Sequence, residues 1–130
     1  MTDFTGKYKQ TSAENLEALF KEIGAPQEVV DRLKSSISEL EVTKAGSEYT
    51  VKMITPDRTR ETKFELGKEF EGPRFGGPVV KSVVVADGNK LIETIKGEKE
   101  IKIVRELNGN QLRVSTTVGP VVGVITYARQ

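Results

Sequence analysis

The chain has 130 residues, and its 20 lysines and arginines nearly balance its 19 aspartates and glutamates. The resulting net charge of +1 gives no reason to expect a nucleic-acid partner. The chain contains no cysteine or histidine, which excludes a disulfide framework, a thiol nucleophile and the commonest general base, so neither metal nor cofactor is expected. The N-terminus lacks the apolar core of a signal peptide, and no apolar run approaches the roughly 18 residues that span a bilayer. These features predict one cytoplasmic domain over residues 1–130.

The N-terminal third predicts one strand followed by two amphipathic helices. Residues 6–10 are a candidate strand. Thr11 and Glu14 have the spacing of a capping box, which predicts that the first helix begins there, and Gly24 supplies its end. Pro26 suits the first turn of a second helix. The apolar residues of the two helices recur at helical spacing: Leu16, Leu19, Phe20, Ile23, Val29, Val30, Leu33 and Ile37.

The rest of the chain predicts β-structure. Nine short β-rich runs follow residue 36, separated by turn residues such as Asp87-Gly88 and Asn108-Gly109. Consecutive short strands with tight turns predict an antiparallel meander, and a long meander closes because closure removes exposed edges. The predicted fold class is all-β: a ten-stranded antiparallel up-and-down barrel, built as two orthogonal sheets, with a helix-turn-helix lid between strands one and two.

The interior of this barrel is predicted to hold a ligand. About eight strands enclose a space that side chains just fill, so ten strands leave additional room. The chain is also short of bulky filler, because aromatic residues make up 6% of it and hydrophobic residues 36%. An incompletely filled, partly polar interior under a helical lid indicates a ligand cavity.

Arg105 and Tyr127 are the candidate polar residues of that cavity. In an extended strand, Arg105 shares a face with Ile101 and Ile103, and Tyr127 shares a face with Ile125. An arginine at the end of an apolar stripe needs an anionic partner, which a ligand carboxylate would supply. Two alternatives remain open. The alternative for Arg105 is that it extends to solvent or pairs with an internal glutamate. The alternative for Tyr127 is that it fills the core and its hydroxyl group forms a local hydrogen bond.

The whole chain resembles the intracellular lipid-binding proteins, the cytosolic family that binds fatty acids and retinoids. The order and spacing of several short segments carry the resemblance: Phe4–Tyr8, Glu14–Glu17, Phe64–Phe70, Val80–Ser82, Asp87–Leu91, Val104–Gly109 and Thr126–Tyr127. The resemblance implies the same barrel and lid. It also implies that Arg105, within its Val-Arg-Glu segment, and Tyr127 hold the carboxylate of a lipid.

Several positions depart from the pattern of that family. Many members carry a second arginine two residues before the tyrosine, and here that position is Ile125. The lid and portal phenylalanines of many members are replaced by Leu16 and Asp57, and an early apolar position by Gln10. These departures indicate a divergent member whose ligand preference is its own.

The sequence therefore predicts a non-catalytic cytoplasmic carrier that binds a long-chain fatty acid or similar lipid carboxylate. We expect a monomer with no nucleic-acid partner and, because the lid is mildly acidic, weak or transient membrane contact at most. The cavity is predicted to be lined by Leu16, Phe20, Ile23, Val29, Leu33, Met53, Phe75, Ile103, Val114, Thr116 and Ile125.

Three alternative functions are also compatible with a barrel. One is a carrier of a bulkier hydrophobic ligand, such as a retinoid or a bile-acid-like molecule. Another is a lipid isomerase, which would need a carboxylate, lysine or tyrosine as its base, and the sequence shows no close pair of them. The last is a secreted lipocalin-type carrier, although such proteins place their main helix after the strands and usually contain tryptophan and disulfides.

Overall fold

The computed structural model describes residues 4–24, 27–28, 31, 39–54, 59–73, 79–97 and 100–130. Ten strands and one helix are defined within these ranges. In chain order they are β1 Gly6–Glu14, α1 Leu16–Ile23, β2 Glu39–Ala45, β3 Glu48–Ile54, β4 Thr59–Glu65, β5 Phe70–Pro73, β6 Val79–Asp87, β7 Lys90–Lys96, β8 Ile101–Asn108, β9 Gln111–Val118 and β10 Val121–Arg129.

The strands form one antiparallel sheet that curls into a barrel. Their order is β4-β3-β2-β1-β10-β9-β8-β7-β6-β5, so pairing of the first strand with the last joins the two halves of the meander. The edge strands β4 and β5 approach each other through the rings of Phe64 and Phe70, which stack 6.0 Å apart. Nearby, the amide of Gly67 donates to the carbonyl oxygen of Val84 over 2.8 Å. The predicted ten-stranded barrel is confirmed, with its two expected sheets continuous with each other.

The first strand is longer than predicted, and the predicted capping box is wrong. β1 continues through Glu14 because its second half pairs with β10. The hydroxyl of Thr11 donates to the carbonyl oxygen of Thr126 over 3.2 Å instead of capping a helix. α1 begins after Asn15, which has a left-handed φ of 58° and makes no side-chain cap. A single capping bond cannot compete with a ladder of cross-strand hydrogen bonds.

Most of the predicted second helix lies outside the described residues, including Val29 and Leu33. Gln27, Glu28 and Asp31 are helical, and the side-chain amide of Gln27 donates to the Asp31 carboxylate over 2.8 Å. No helix in the described ranges is long and apolar enough to cross a membrane.

Buried side chains form two apolar clusters inside the barrel. The aromatic cluster consists of Phe4, Tyr8, Leu40, Val42, Tyr49, Val51, Phe64, Val84, Leu91, Leu107, Leu112 and Tyr127. The aliphatic cluster consists of Leu19, Ile95, Ile101, Ile103 and Val118.

The helix α1 packs against β9 and β10, and a glycine allows the close approach. A Cβ atom at Gly123 would lie 2.7 Å from Leu19 Cδ2 and 3.1 Å from Leu19 Cβ, both too short for a normal contact. Leu19 is consequently buried against the sheet, as the deepest residue of the helix. The missing side chain at Gly123 therefore positions the helical lid on the aliphatic cluster.

Candidate functional site

The inner face of β8 carries the candidate arginine. Burial alternates along this strand, so that Ile101, Ile103, Arg105 and Leu107 are buried and the residues between them are more exposed. Arg105 is only 9% exposed. The side chain thus faces the interior, as the period-two pattern predicts.

Arg105 is paired with a buried glutamate. Its Nη1 donates to Oε1 of Glu93 over 2.9 Å, and Glu93 is 0% exposed. Glu93 lies on the inner face of β7 between the buried residues Leu91 and Ile95. Of the alternatives that the sequence left open for Arg105, the structure shows pairing with an internal glutamate. The alternation along β7 could have located Glu93 inside, but it could not have named Arg105 as its partner.

The ion pair crosses the β7–β8 hairpin diagonally. Glu93 lies directly opposite Ile103, and Arg105 lies directly opposite Leu91. Long side chains reach across such diagonal positions. Because both groups are buried and apolar residues flank them, loss of either partner would remove a charge-assisted hydrogen bond from the other in the interior. In the described ranges, no buried side-chain nitrogen or oxygen lacks a hydrogen-bond partner.

Cross-strand rows connect Arg105 to β10. Arg105 lies opposite Val114 in β9, and Val114 lies opposite Ile125 in β10. Since neighbouring strands are about 4.8 Å apart, the backbones of Arg105 and Ile125 are roughly 10 Å apart. Tyr127 lies in the adjacent row, opposite Leu112, and is 1% exposed. Arg105, Ile125 and Tyr127 therefore belong to one inner surface formed by β8, β9 and β10.

Most of the remaining predicted lining residues belong to one of the two clusters or pack against it. Ile103 is a member of the aliphatic cluster, and Leu16 and Ile23 of the lid pack against it. Met53 packs against the aromatic cluster. Val114 contacts both clusters, so the row that contains Arg105 lies at their junction.

Two further predicted lining residues are buried, and three lie outside the described residues. Thr116 is buried opposite Ile103, and Phe20 is buried on the lid. Leu19, which was not among the predicted lining residues, is more deeply buried than Phe20. The predicted lining residues outside the described ranges are Val29, Leu33 and Phe75.

A cleft of about 280 Å³ lies between the β2–β3 turn and the residues at the end of β4. The lining residues are Lys44, Ser47, Tyr49, Glu65, Leu66 and Lys68. Lys68 Nζ lies 2.6 Å from Glu65 Oε2, and this hydrogen bond and charge lower the pKa of Glu65 and raise the pKa of Lys68. Water and salt screen such an exposed pair. Among the residues that the structure describes, no three acidic side chains are placed to hold a metal ion.

Comparison with known proteins identifies the family. Residues 2–129 match the lipocalin / cytosolic fatty-acid binding protein family. The chain belongs to this family. A fatty acid-binding protein of Tyrophagus putrescentiae is 37% identical to it over 131 residues, which cover 100% of both chains.

Solved structures of similar proteins share the fold. The fatty acid-binding protein from brain tissue of Drosophila melanogaster is 36% identical and superimposes with a TM-score of 0.93, covering 97% of this chain and 99% of that chain. A fatty acid-binding protein of Schistosoma mansoni in complex with arachidonic acid is 26% identical and gives a TM-score of 0.94, covering 100% and 98%. The predicted family and barrel are thereby confirmed, as is the general prediction of a lipid carrier.

Proposed function

We propose that this protein is a non-catalytic cytoplasmic carrier that holds one long-chain fatty acid, or a similar lipid carboxylate, inside the barrel. The observation that carries the proposal is the cationic side chain of Arg105 on an otherwise apolar inner face. A relative with the same fold has been solved with arachidonic acid. A lipid carboxylate would find at Arg105 a charge-assisted hydrogen bond, worth roughly 1.5–3 kcal/mol.

We assign the remaining parts of the ligand to the surface around Arg105. Tyr127 donates a second hydrogen bond to the carboxylate from the neighbouring row of β10. The acyl chain lies along Ile103, Val114 and Ile125, where it replaces contact with water by contact with alkyl side chains. The protein carries out no chemistry: it solubilises the lipid and lowers its free concentration.

The carrier acts as a monomer and makes at most transient contact with membranes. The lid supports the second point, since its described part carries the acidic residues Glu17, Glu22, Glu28 and Asp31 against the basic residue Lys21. Anionic lipid surfaces attract clusters of lysine and arginine, and this surface has the opposite balance.

The proposal can be tested by removing both charges of the buried pair together. The double variant Glu93→Leu/Arg105→Met replaces both members of the pair by apolar side chains of similar size. We expect its affinity for oleate to fall roughly ten- to hundredfold, because the charge-assisted bond is lost, while its affinity for oleyl alcohol changes little. Fluorescence displacement titration measures both affinities.

A matched control is Lys102→Met, which removes a cation from the exposed face of the same strand. It should leave both affinities unchanged. If the double variant bound oleate as tightly as the parent, Arg105 would be structural. If the parent bound no lipid, the carrier function itself would be wrong, and chemical conversion of bound oleate would favour the isomerase.

A further inference from the structure

We propose that Glu93 is a positioning residue for the ligand carboxylate: it fixes the orientation of the Arg105 guanidinium and does not itself touch the lipid. The inference rests on the proposed function, in which the carboxylate binds at Arg105. It deepens that function, because recognition then depends on the shape of the head group as well as on its charge.

The first step is which member of the ion pair a ligand can reach. The side chain of Arg105 is 11% exposed, whereas that of Glu93 is 0% exposed. The accessible surface of the pair therefore belongs to the guanidinium, and a lipid can contact Arg105 without contacting Glu93. Any effect of Glu93 on the ligand is consequently exerted through Arg105.

The second step is how firmly Glu93 is held. It lies opposite Val84 of β6 and opposite Ile103 of β8, so buried residues flank it on both neighbouring strands. Its neighbours on the inner face of β7, Leu91 and Ile95, are also buried. A glutamate that is enclosed on four sides by packed side chains has few rotamers open to it, which makes its carboxylate a fixed acceptor.

The third step is what a fixed acceptor does to an arginine. The stem of Arg105 is long and flexible, but its guanidinium is planar, with five N–H donors in a rigid fork. The hydrogen bond of 2.9 Å from Nη1 to Glu93 Oε1 holds one corner of that fork. Since β7 and β9 flank β8 on opposite sides, Glu93 holds the fork from the side away from Val114 and Tyr127. The other N–H groups are thereby presented to the ligand.

The consequence is selectivity for a planar head group. A carboxylate carries two oxygens in one plane, and these match two parallel N–H groups of a guanidinium whose plane is fixed. The terminal oxygens of a sulfate are arranged tetrahedrally, so a sulfate accepts hydrogen bonds from a guanidinium in several orientations. The affinity for a carboxylate therefore depends more strongly on the position of Glu93 than does the affinity for a sulfate of equal charge.

Two variants distinguish the position of Glu93 from its charge. Glu93→Asp keeps the negative charge but is shorter by one methylene group, so it cannot hold Nη1 in the same place. Glu93→Gln keeps the length and an acceptor oxygen but removes the charge. The control is Glu106→Asp, which makes the first of these changes on the outer face of β8, where Glu106 lies 3.7 Å from Lys90.

Displacement titrations with laurate and dodecyl sulfate, both below their critical micelle concentrations, measure the ratio of the two affinities in each protein. The change in this ratio is the readout, because sulfate is also the weaker base. We expect the ratio to fall about tenfold in Glu93→Asp, since one of two paired charge-assisted hydrogen bonds is lost. It should keep the parent value in Glu93→Gln and in Glu106→Asp. Dodecanol, which has the same chain and no charge, should bind all four proteins equally.

The outcomes separate the inference from the proposed function. If Glu93→Asp keeps the parent ratio, or if Glu93→Gln loses it to the same extent, the inference is overturned and the carrier function stands. If the parent binds no fatty acid, the proposed function fails. Should a Glu93 variant not fold, as judged by circular dichroism, nitrogen-15 NMR of the Arg105 guanidinium in the delipidated parent decides. Hindered rotation about its Nε–Cζ bond supports the inference, and fast rotation overturns it.

Discussion

The β7–β8 hairpin and the turn between β4 and β5 each bring an acid and a base into contact, with opposite consequences. Glu65 and Lys68 are 2.6 Å apart on the surface, whereas Glu93 and Arg105 are 2.9 Å apart in the interior. The shorter contact is the weaker one for stability, because solvent screens it and either partner can be hydrated alone. Burial, rather than distance, decides which pair the fold depends on.

The largest effect is expected from breaking the buried pair. Arg105→Met removes the guanidinium that lies 2.9 Å from the buried Glu93 carboxylate, which should lower the free energy of unfolding by roughly 3–5 kcal/mol. Urea unfolding of the delipidated variant measures the loss. The double variant Glu93→Leu/Arg105→Met should recover most of it, since an apolar pair replaces an ionic one at little cost. A single variant as stable as the parent would mean that the pair is not desolvated.

A steric substitution at another buried position distinguishes the cost of losing a charge from the cost of disturbing a buried site. Gly123→Ala places a methyl group against Leu19, where the helix has no room to accept it, and should cost about 1–3 kcal/mol by urea unfolding. Gly72→Ala is the control, because a Cβ atom there meets no atom within 4 Å. A loss at Gly123 as large as that of Arg105→Met would show that depth alone, and not charge, sets the cost.

Adding a cation to the buried region should strengthen the binding of a carboxylate, whereas removing Arg105 weakens it. Ile125→Arg places a second guanidinium on the inner surface, two strands from Arg105, where it adds attraction for a carboxylate. We expect about tenfold tighter binding of laurate relative to retinoic acid, because attraction at the head group rises while the cavity narrows. Displacement titrations with both ligands measure the ratio. An unchanged ratio in an equally stable variant would mean that Ile125 does not face the ligand.

The smallest effect is expected at the exposed pair. Lys68→Met should leave the unfolding midpoint unchanged, but it should raise the pKa of Glu65 towards its ordinary value, because the Lys68 hydrogen bond and charge hold that pKa down. A carboxyl group whose pKa is lower in the folded state stabilises that state above the unfolded-state pKa. This contribution is lost as the pH falls through the folded-state pKa. Carbon-13 NMR titration of the Glu65 carboxyl follows the shift. A large loss of stability in this variant would contradict the contrast between the two pairs.

The sequence by itself determined the order of the elements and the direction of most inner side chains. Turn residues at regular spacing predicted the strands that follow residue 36, and alternation placed Arg105, Ile125 and Tyr127 on inner faces. These features depend on neighbours in the chain, because a period of two or 3.6 residues is a local property.

The tertiary structure decided which of these residues meet. The partner of Arg105 depends on the register between β7 and β8, which sets Glu93 diagonally across the hairpin. Pairing with β10 extended β1 through Glu14 and overrode a capping pattern that is plausible in isolation. The fit of Leu19 on Gly123 likewise requires the helix to be docked on the sheet. Contacts between distant segments follow from register and packing, which no local pattern encodes, and they turn an inward-facing arginine into one half of a buried ion pair.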